Sequence, residues 1–328
     1  MGAHTPQRVL VTGGTGFVGH HLVERLRDRG DEVTVFDAVA PRGAALSGVR
    51  FVEGDLRDGA ALARAARGAE VIHHLAAVVG VDQYLARPLD VIDINFSGTR
   101  NVLDVAVRAG AKVVLASTSE VFGKNPAVPW PEDGDRVLGP TASDRWSYAS
   151  SKALAEHLTF AFVRQHGLAA TIVRYFNVYG PRQRPAYVVS RSVHRALNGR
   201  PLVVYDGGRQ TRCFTFVDDA VAGTLRAADE PAAAGEAFNI GSMVETAVGT
   251  VVGLVAELTG TTSVVDVDTA TALGASYEDL GRRVPDNAKA GRILGWRPRT
   301  SLRDGLVKTI EWARADDRWL ALPDSGAA

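Results

Sequence analysis

Tyr148 and Lys152 have the residue types and the spacing of an acid–base pair. They stand four positions apart in the segment YASSK, so both lie on one side of a helix if the segment is helical. A neighbouring ammonium group lowers the pKa of a phenol, and the phenolate can remove a hydroxyl proton while hydride leaves the same carbon. Thr118 ends an apolar run, and its hydroxyl could hydrogen-bond the same substrate oxygen. The alternative interpretation is a core tyrosine beside a solvated lysine.

The segment TGGTGFVG, Thr12 to Gly19, predicts a dinucleotide-binding turn. It follows one predicted strand and opens one predicted helix, where Gly13 permits the tight turn, Gly16 admits a pyrophosphate and Gly19 allows close packing. Asp37 ends the second predicted strand, where a carboxylate accepts hydrogen bonds from ribose hydroxyls and repels a 2′-phosphate, so NAD is favoured over NADP. The other residues expected to line the cofactor are Phe17, Val18, Asp55, Leu56, Leu75, Ala76 and Ala77. The alternative is an ordinary glycine turn followed by a strand-ending aspartate.

Short apolar runs rich in Val and Ile alternate with longer helical segments. This alternation predicts parallel strands covered on both faces by helices. The predicted strands begin at Arg8, Asp31, Val49, Glu70, Lys112 and Ala170. We therefore expect an α/β fold, a doubly wound parallel sheet of the Rossmann type with a smaller interleaved C-terminal substrate-binding domain. Residues 1–178 form the expected NAD-binding domain, with returning segments at about 213–242, and residues 179–212 and 243–328 form the expected substrate domain.

Composition excludes several classes of partner. The 328 residues carry 37 basic and 37 acidic side chains, so no charge excess favours nucleic acid or an anionic membrane. Cys213 is the only cysteine, which excludes an internal disulfide and a cysteine-rich zinc site, and no metal is predicted. The chain contains no apolar run of about 18 residues and no signal-peptide pattern at its start. These features predict a cytoplasmic protein.

The whole chain resembles the extended short-chain dehydrogenase/reductases, in their nucleotide-sugar epimerase/dehydratase branch. The resemblance runs from TGGTGFVG through YASSK to RYFNVYGPRQ, LVVYDGGRQTRCFTFVDD, YEDLGRRVPDNAKA and LGWRP. It implies that Asn95 flanks the nicotinamide and that Asn177 and Arg212 hold the diphosphate of a UDP-sugar. It places Tyr205 near the uracil and Arg182 in the substrate site. It also implies a homodimer, built as a four-helix bundle from the helix near Asn95 and the helix that carries Tyr148.

Glu120, in LASTSEVFG, suggests chemistry beyond oxidation at one carbon. Dehydratases of this branch place an Asp–Glu pair after the threonine, but here the Asp position is Ser119, whose hydroxyl is a far weaker acid. Thr118, Ser119 and Glu120 instead resemble the UDP-glucuronate decarboxylases, and Arg283 in RRVPD matches an arginine of those proteins. Two further residues, Arg145 and Tyr84, are candidates to hold the sugar or its carboxylate. A solvated strand-end carboxylate at Glu120 and a surface salt bridge at Arg283 are the alternatives.

The resemblance thus predicts an NAD-dependent decarboxylase of UDP-glucuronate. Oxidation at C4 makes a β-keto acid, which loses CO2 from C5 and gives UDP-xylose or the UDP-4-keto-pentose. Two alternatives remain at this point. A UDP-sugar 4-epimerase, acting on UDP-glucuronate or UDP-glucose, has the same fold but does not need Glu120. A non-catalytic NAD-sensing regulator does not need an activated phenol.

Overall fold

The computed structural model of the chain describes residues 4–41, 46–80, 83, 86–269 and 280–324. The strands are β1 (Arg8–Thr12), β2 (Glu32–Asp37), β3 (Arg50–Glu53), β4 (Val71–His74), β5 (Lys112–Thr118), β6 (Ala170–Tyr175), β7 (Val178–Tyr179), β8 (Leu202–Tyr205), β9 (Thr211–Cys213), β10 (Thr215–Phe216), β11 (Ala237–Ile240), β12 (Glu245–Ala247) and β13 (Val264–Val267). The helices are α1 (Phe17–Asp28), α2 (Gly59–Ala65), α3 (Pro88–Ala109), α4 (Ser147–His166), α5 (Val188–Leu197), α6 (Val217–Asp229), α7 (Val248–Thr259), α8 (Ala288–Ile293), α9 (Leu302–Arg314) and α10 (Asp317–Leu320). Short 3-10 turns lie at Ser119–Phe122, Asp144–Trp146, Asp206–Gly208 and Pro231–Ala233.

The central sheet has seven parallel strands in the order β11-β6-β5-β4-β1-β2-β3. Its inner strands are apolar on both faces because helices cover both sides. Leu62 of α2 and Leu103 of α3 pack on one face of the sheet, whereas Leu22 of α1 and Val221 of α6 pack on the other. The order reverses between β1 and β4, which is the arrangement that opens a ligand crevice at the carboxyl ends of the strands. The predicted fold class is confirmed.

The run ATIVRYFNVYG, which the sequence predicts as one strand, is two strands. β6 ends at Tyr175, and β7 pairs with β10 instead of extending the central sheet. Asn177 lies between them with φ of 39°, a left-handed conformation that asparagine tolerates better than most residues. The turn therefore brings the Asn177 side chain out of the sheet, at the rim of the crevice.

Helix α3 begins earlier than the region around Asn95 that the sequence indicated. Pro88 occupies its first turn, where a proline lacks only an N–H that would be unpaired anyway. Gly98 lies in the middle of this helix, and a Cβ there would approach the Leu56 Cβ to 2.8 Å. The glycine thus serves close packing against the loop after β3 and does not mark a helix end.

The smaller part of the molecule is assembled mainly from the second half of the chain. β8 pairs in parallel with β13, and β9 pairs in antiparallel fashion with β12, while β11 returns to the central sheet beside β6. The exact division into two domains stays a prediction. In the described part of the chain, no helix is both long and apolar enough to cross a membrane, and no group of three or more His, Cys, Asp or Glu side chains is arranged to hold a metal ion.

Candidate active site

A cavity of about 1110 Å³ lies at the carboxyl ends of the central strands and continues toward the smaller part of the molecule. It brings together nearly all the residues that the sequence singled out. Those that line it are Gly13, Gly16, Phe17, Val18, Gly19, Asp37, Asp55, Leu56, Leu75, Ala76, Ala77, Thr118, Ser119, Glu120, Arg145, Tyr148, Lys152, Asn177, Arg182, Tyr205, Arg212 and Arg283. Asn95 is described but does not line the cavity, and Tyr84 lies outside the described residues.

The glycine turn forms the floor at one end of this cavity. Gly13 has φ of 74°, and a Cβ on it would lie 2.5 Å from the backbone N of Ala76. A Cβ on Gly19 would lie 2.0 Å from the carbonyl oxygen of Gly13. Both distances are far below van der Waals contact, so neither position admits a side chain. The helix that follows starts at Phe17, and its unpaired N–H groups can receive a phosphate.

Asp37 is held in a fixed orientation at the end of β2. Its Oδ2 accepts hydrogen bonds from the Thr15 backbone N–H at 3.1 Å and from the Thr15 hydroxyl at 2.6 Å. Its Oδ1 accepts from the Val39 N–H at 3.1 Å. The carboxylate at this edge of the cavity suits a ribose diol and disfavours a 2′-phosphate. Asp55 also lines the cavity and forms a salt bridge with Arg57.

His74 lies behind the cavity wall, and its hydrogen bonds determine its tautomer. The Thr99 hydroxyl donates to the Asn95 carbonyl at 2.6 Å, so its oxygen accepts from Nε2–H of His74 at 3.0 Å. Nδ1 of His74 then accepts from the Thr12 hydroxyl at 2.7 Å, and the Thr12 oxygen accepts from the Ala76 N–H at 3.3 Å. This chain of hydrogen bonds, called the relay below, connects Thr12 at the end of β1 with His74 and Ala76 at the end of β4. It therefore fixes the two segments on either side of Gly13. The sequence placed the His74 segment against the cofactor but gave no sign of the relay.

Asn95 has a related role one layer behind the cavity. Its Oδ1 accepts from the Val78 N–H at 2.9 Å, and its Nδ2 donates to the Val78 carbonyl at 3.1 Å. Val78 lines the cavity, whereas Asn95 is almost fully buried in α3. The residue therefore holds a loop of the cavity wall from behind, and its place beside the nicotinamide stays a prediction.

Thr118, Tyr148 and Lys152 converge at the middle of the cavity. Burial and the negative charge of Glu120 raise the pKa of the Tyr148 phenol above its ordinary value, and its contact with Thr118 opposes this shift. Burial lowers the pKa of Lys152 to about 8, although Glu156 works in the opposite direction. The net shift of the phenol pKa is therefore upward, opposite to the lowering that was expected from Lys152, and Tyr148 is protonated at neutral pH.

Glu156 ties the strand that carries Thr118 to the helix that carries Tyr148. Its buried carboxylate accepts from the Ser117 hydroxyl at 2.6 Å, from Arg174 at 2.8 and 2.7 Å, and from Arg136 at 2.7 Å. Burial opposes its ionisation, but Arg174, Ser117 and Arg136 together outweigh burial and lower the Glu156 pKa. The sequence analysis missed this residue, whose only local signal is its position one turn after Lys152.

Glu120 lies between two arginines at the same point of the cavity. Arg145 donates to its Oε2 at 2.8 Å, and Arg283 donates to its Oε1. The Arg145 side chain is 4% exposed and that of Glu120 is 15% exposed. Burial opposes ionisation of Glu120, but the positive charges of Arg283 and Arg145 overcome it and bring the pKa to about 2. The three side chains thus carry one net positive charge, and neither alternative from the sequence, a solvated Glu120 or a surface Arg283, describes them.

The far end of the cavity is rich in arginine. Asn177, Arg182, Tyr205 and Arg212 line it, as the resemblance implied for a substrate site. Arginines that the sequence analysis did not select also line the cavity, namely Arg184, Arg191 and Arg195, and Arg87 at the start of α3. A chain with no net charge therefore presents a locally cationic wall, which suits a diphosphate. The spacing of Arg191 and Arg195, one turn apart in α5, was the available signal.

Comparison with known proteins gives a consistent result. The model described as the NAD dependent epimerase/dehydratase family matches residues 9–241. The UDP-N-acetyl-alpha-D-glucosaminuronate decarboxylase of Bacillus cytotoxicus is 40% identical over 317 residues, which cover 94% of this chain and 98% of that protein. UDP-glucuronic acid decarboxylase 1 of Xenopus tropicalis is 32% identical over 94% of this chain and 73% of its own length. The crystal structure of the Thermotoga maritima UDP-glucose 4-epimerase with UDP-glucose has a TM-score of 0.86 and 31% identity, covering 94% of this chain and 99% of that one.

The two adjacent histidines of β4 provide a matched test of the relay. His74→Leu leaves the Thr12 hydroxyl without its buried partner, so we expect the free energy of unfolding to fall by about 2 kcal/mol and NAD to bind more weakly. Both ring nitrogens of His73 are buried and have no hydrogen-bond partner among the described residues, so His73→Leu should not reduce stability. Urea unfolding and NAD titration measure these effects, and equal losses in the two variants would contradict the relay.

His73 and His74 also predict that the free energy of unfolding depends on pH. Burial lowers the pKa of His73 and of His74 to about 3, whereas an unfolded histidine has a pKa of about 6.5. The unfolded chain therefore binds these protons first, and stability present above about pH 6.5 is lost as the pH falls toward 3. Urea unfolding of His73→Leu between about pH 7 and about pH 5 should show a shallower loss than the unmodified chain. Identical slopes would show that His73 is not held neutral.

Proposed function

Because the chain belongs to the NAD dependent epimerase/dehydratase family, we propose that it is an NAD-dependent decarboxylase of UDP-glucuronate. The observation that carries the proposal is the buried Arg145–Glu120–Arg283 cluster beside Thr118 and Tyr148. An enzyme that only oxidises C4 does not need such a cluster, whereas an enzyme whose substrate carries a carboxylate does. The decarboxylase names of the two relatives support the same reading.

The residues at the glycine turn fit NAD. The turn has no room for side chains at Gly13 and Gly19, and Asp37 offers oxygens to a ribose diol. Lys152 lines the same cavity, and the family resemblance assigns it to the second ribose. When bound, the nicotinamide supplies a reversible acceptor for hydride and a positive charge.

Tyr148 acts on the C4 hydroxyl, with Thr118 hydrogen-bonded to the same oxygen. The described side chains keep the phenol protonated, so it must lose its proton before it can act as a base. Lys152, with a pKa of about 8, is mostly cationic at neutral pH, and a cation close to a phenol favours the phenolate. The phenolate removes the hydroxyl proton while hydride leaves C4, and a ketone is formed.

The ketone and the C6 carboxylate then form a β-keto acid. The C5–C6 bond breaks, its electron pair becomes the enolate, and CO2 leaves. Tyr148, which now carries the proton of the C4 hydroxyl, donates a hydrogen bond to the enolate oxygen. The net positive charge of the Arg145–Glu120–Arg283 cluster complements the substrate carboxylate before it leaves.

C5 must then receive a proton. Glu120 is ionised at neutral pH, since its pKa is about 2, and so it cannot be the direct donor. Arg283, or a water held by Arg283 and Glu120, supplies the proton. Return of hydride to C4 gives UDP-xylose, and release before that step gives the UDP-4-keto-pentose.

Glu120→Gln separates the two halves of this reaction. The change keeps the shape of the side chain but removes the charge that holds both arginines, so C4 oxidation should persist while CO2 release falls about 100-fold. NADH absorbance and CO2 release from UDP-glucuronate are measured together. Glu257→Gln, which breaks an exposed salt bridge with Arg303, is the control and should leave both rates unchanged. If Glu120→Gln released CO2 at the rate of the unmodified chain, Glu120 would have no role in decarboxylation.

A second candidate substrate is a UDP-hexuronate with an acetamido group at C2. It is favoured by one observation: the relative named for such a substrate is 40% identical, against 32% for the relative named for UDP-glucuronic acid. Comparing kcat/KM for CO2 release from the two nucleotide sugars distinguishes the candidates. We expect turnover of UDP-glucuronate, and CO2 from the acetamido sugar alone would shift the assignment.

The two alternative functions from the sequence analysis predict different results when the protein is incubated with UDP-glucuronate and NAD. A 4-epimerase would convert UDP-glucuronate to UDP-galacturonate without CO2, and an NAD-sensing regulator would bind NAD without turnover. The epimerase of T. maritima shares the fold, so the fold alone does not distinguish these activities. The Glu120 cluster favours the decarboxylase. A location in the cytoplasm stays a prediction from composition.

We also propose a homodimer through a four-helix bundle of α3 and α4. Leu89 and Ile92 of α3 and Leu154 of α4 are exposed apolar residues, and the Arg100 guanidinium lies 5.6 Å from the centre of the Phe162 ring between the two helices. Burial of this face against a second copy would remove the apolar surface from water. Sedimentation should give a dimer for the unmodified chain and a monomer for Leu154→Glu, and a monomer for both would contradict the proposal.

A further inference from the structure

Hydrogen bonds attach the segment that contains α10 to the arginine-rich wall of the cavity, which includes Arg191 and Arg195. The indole N–H of Trp319 donates to the Gln183 carbonyl at 2.9 Å. His194 of α5 hydrogen-bonds to the Leu320 carbonyl at 3.0 Å, and its ring packs edge-on against Trp319. Gln183 itself lines the cavity. A segment far from the cofactor turn in sequence thus supports one wall of the active site.

Asp324 is the charged contact of this segment. Its carboxylate accepts from Arg191 Nε at 3.0 Å and also from Arg195, and it is 10% exposed. Arg191 and Arg195 are one turn apart on α5, and both line the cavity. Two adjacent guanidiniums repel each other, so a shared carboxylate between them fixes both side chains.

Arg191, whose orientation is fixed by Asp324, in turn holds Tyr205 in place. Its Nη1 donates to the Tyr205 hydroxyl at 3.0 Å while its Nε remains on Asp324. Tyr205 ends β8 and faces the cavity with an aromatic ring. Such a ring is suited to packing against a base, and the surrounding arginines are suited to a diphosphate.

We infer that Asp324 is a positioning residue for the nucleotide half of the substrate. It holds Arg191, and through it Tyr205, in the orientation that receives the nucleotide, without touching the substrate itself. This inference rests on the proposed function, because it takes the ligand of the arginine-rich wall to be a nucleoside diphosphate. It assigns no role to Asp324 in the chemistry at C4 or C5.

Calorimetric titration with UDP tests the inference without turnover. Asp324→Asn keeps the shape of the side chain but removes its charge, so we expect about tenfold weaker UDP binding, because both arginines lose their charged hydrogen-bond acceptor. KM for the nucleotide sugar should rise similarly, while kcat and NAD affinity stay unchanged. Asp317→Asn is the matched control, because Asp317 is an exposed aspartate of the same C-terminal segment, at the start of α10, and should leave UDP affinity unchanged.

Two further variants separate positioning from a general loss of structure. Asp324→Glu retains the charge and should restore UDP affinity to within about threefold of the unmodified chain. Tyr205→Phe and Asp324→Asn should be non-additive, because both break the same chain of contacts. UDP affinity in Asp324→Asn that equals or exceeds that of the unmodified chain would overturn the inference, as would full additivity with Tyr205→Phe.

The outcomes distinguish this inference from the proposed function. If the unmodified chain releases CO2 but Asp324→Asn binds UDP normally, the inference falls and the function stands. If UDP binding weakens as expected but UDP-glucuronate loses no CO2, the positioning role stands and the decarboxylase assignment falls.

Discussion

A buried carboxylate held between two guanidiniums is the interaction on which the active site depends. Glu120 follows β5, Arg145 precedes α4, and Arg283 lies in a segment more than 130 residues further along. Removing one partner of a buried ion pair leaves an uncompensated charge, which is costly. The three segments must therefore meet before the site exists. This requirement makes the chemistry a property of the assembled molecule and not of the dinucleotide-binding part alone.

The reacting groups are positioned by buried polar networks whose members are almost all satisfied. Glu156 connects Ser117, next to Thr118, with the helix of Tyr148, and His74 connects the turn around Gly13 with the end of β4. Such networks fix side-chain orientation, because breaking any member leaves a buried polar group without a partner. Cofactor turn, catalytic trio and Glu120 cluster are consequently held at one edge of the sheet.

The sequence predicts those features that depend on local spacing. The glycine turn, Asp37, and the Tyr148–Lys152 pair are recognisable because neighbours in sequence act together, and the strands are recognisable from continuous apolar runs. The hydrogen bonds of His74, the role of Glu156 and the pair of Arg191 and Arg195 were not predicted, since their partners come from distant segments. The pKa of the Tyr148 phenol was expected to fall and instead rises, because burial and the charge of Glu120, which depend on the folded structure, both disfavour the phenolate. The break at Asn177 was hidden inside an apolar run.

We propose that a ketone formed beside a carboxylate allows this enzyme to release that carboxylate as CO2. UDP-glucuronate labelled with ¹³C at C6 tests it most directly, by mass spectrometry of the dissolved gas and of the nucleotide product. We expect the label to leave as CO2 in equal amount to the pentose nucleotide formed. Label that stays entirely in a six-carbon sugar, with the enzyme active and NAD bound, would contradict it.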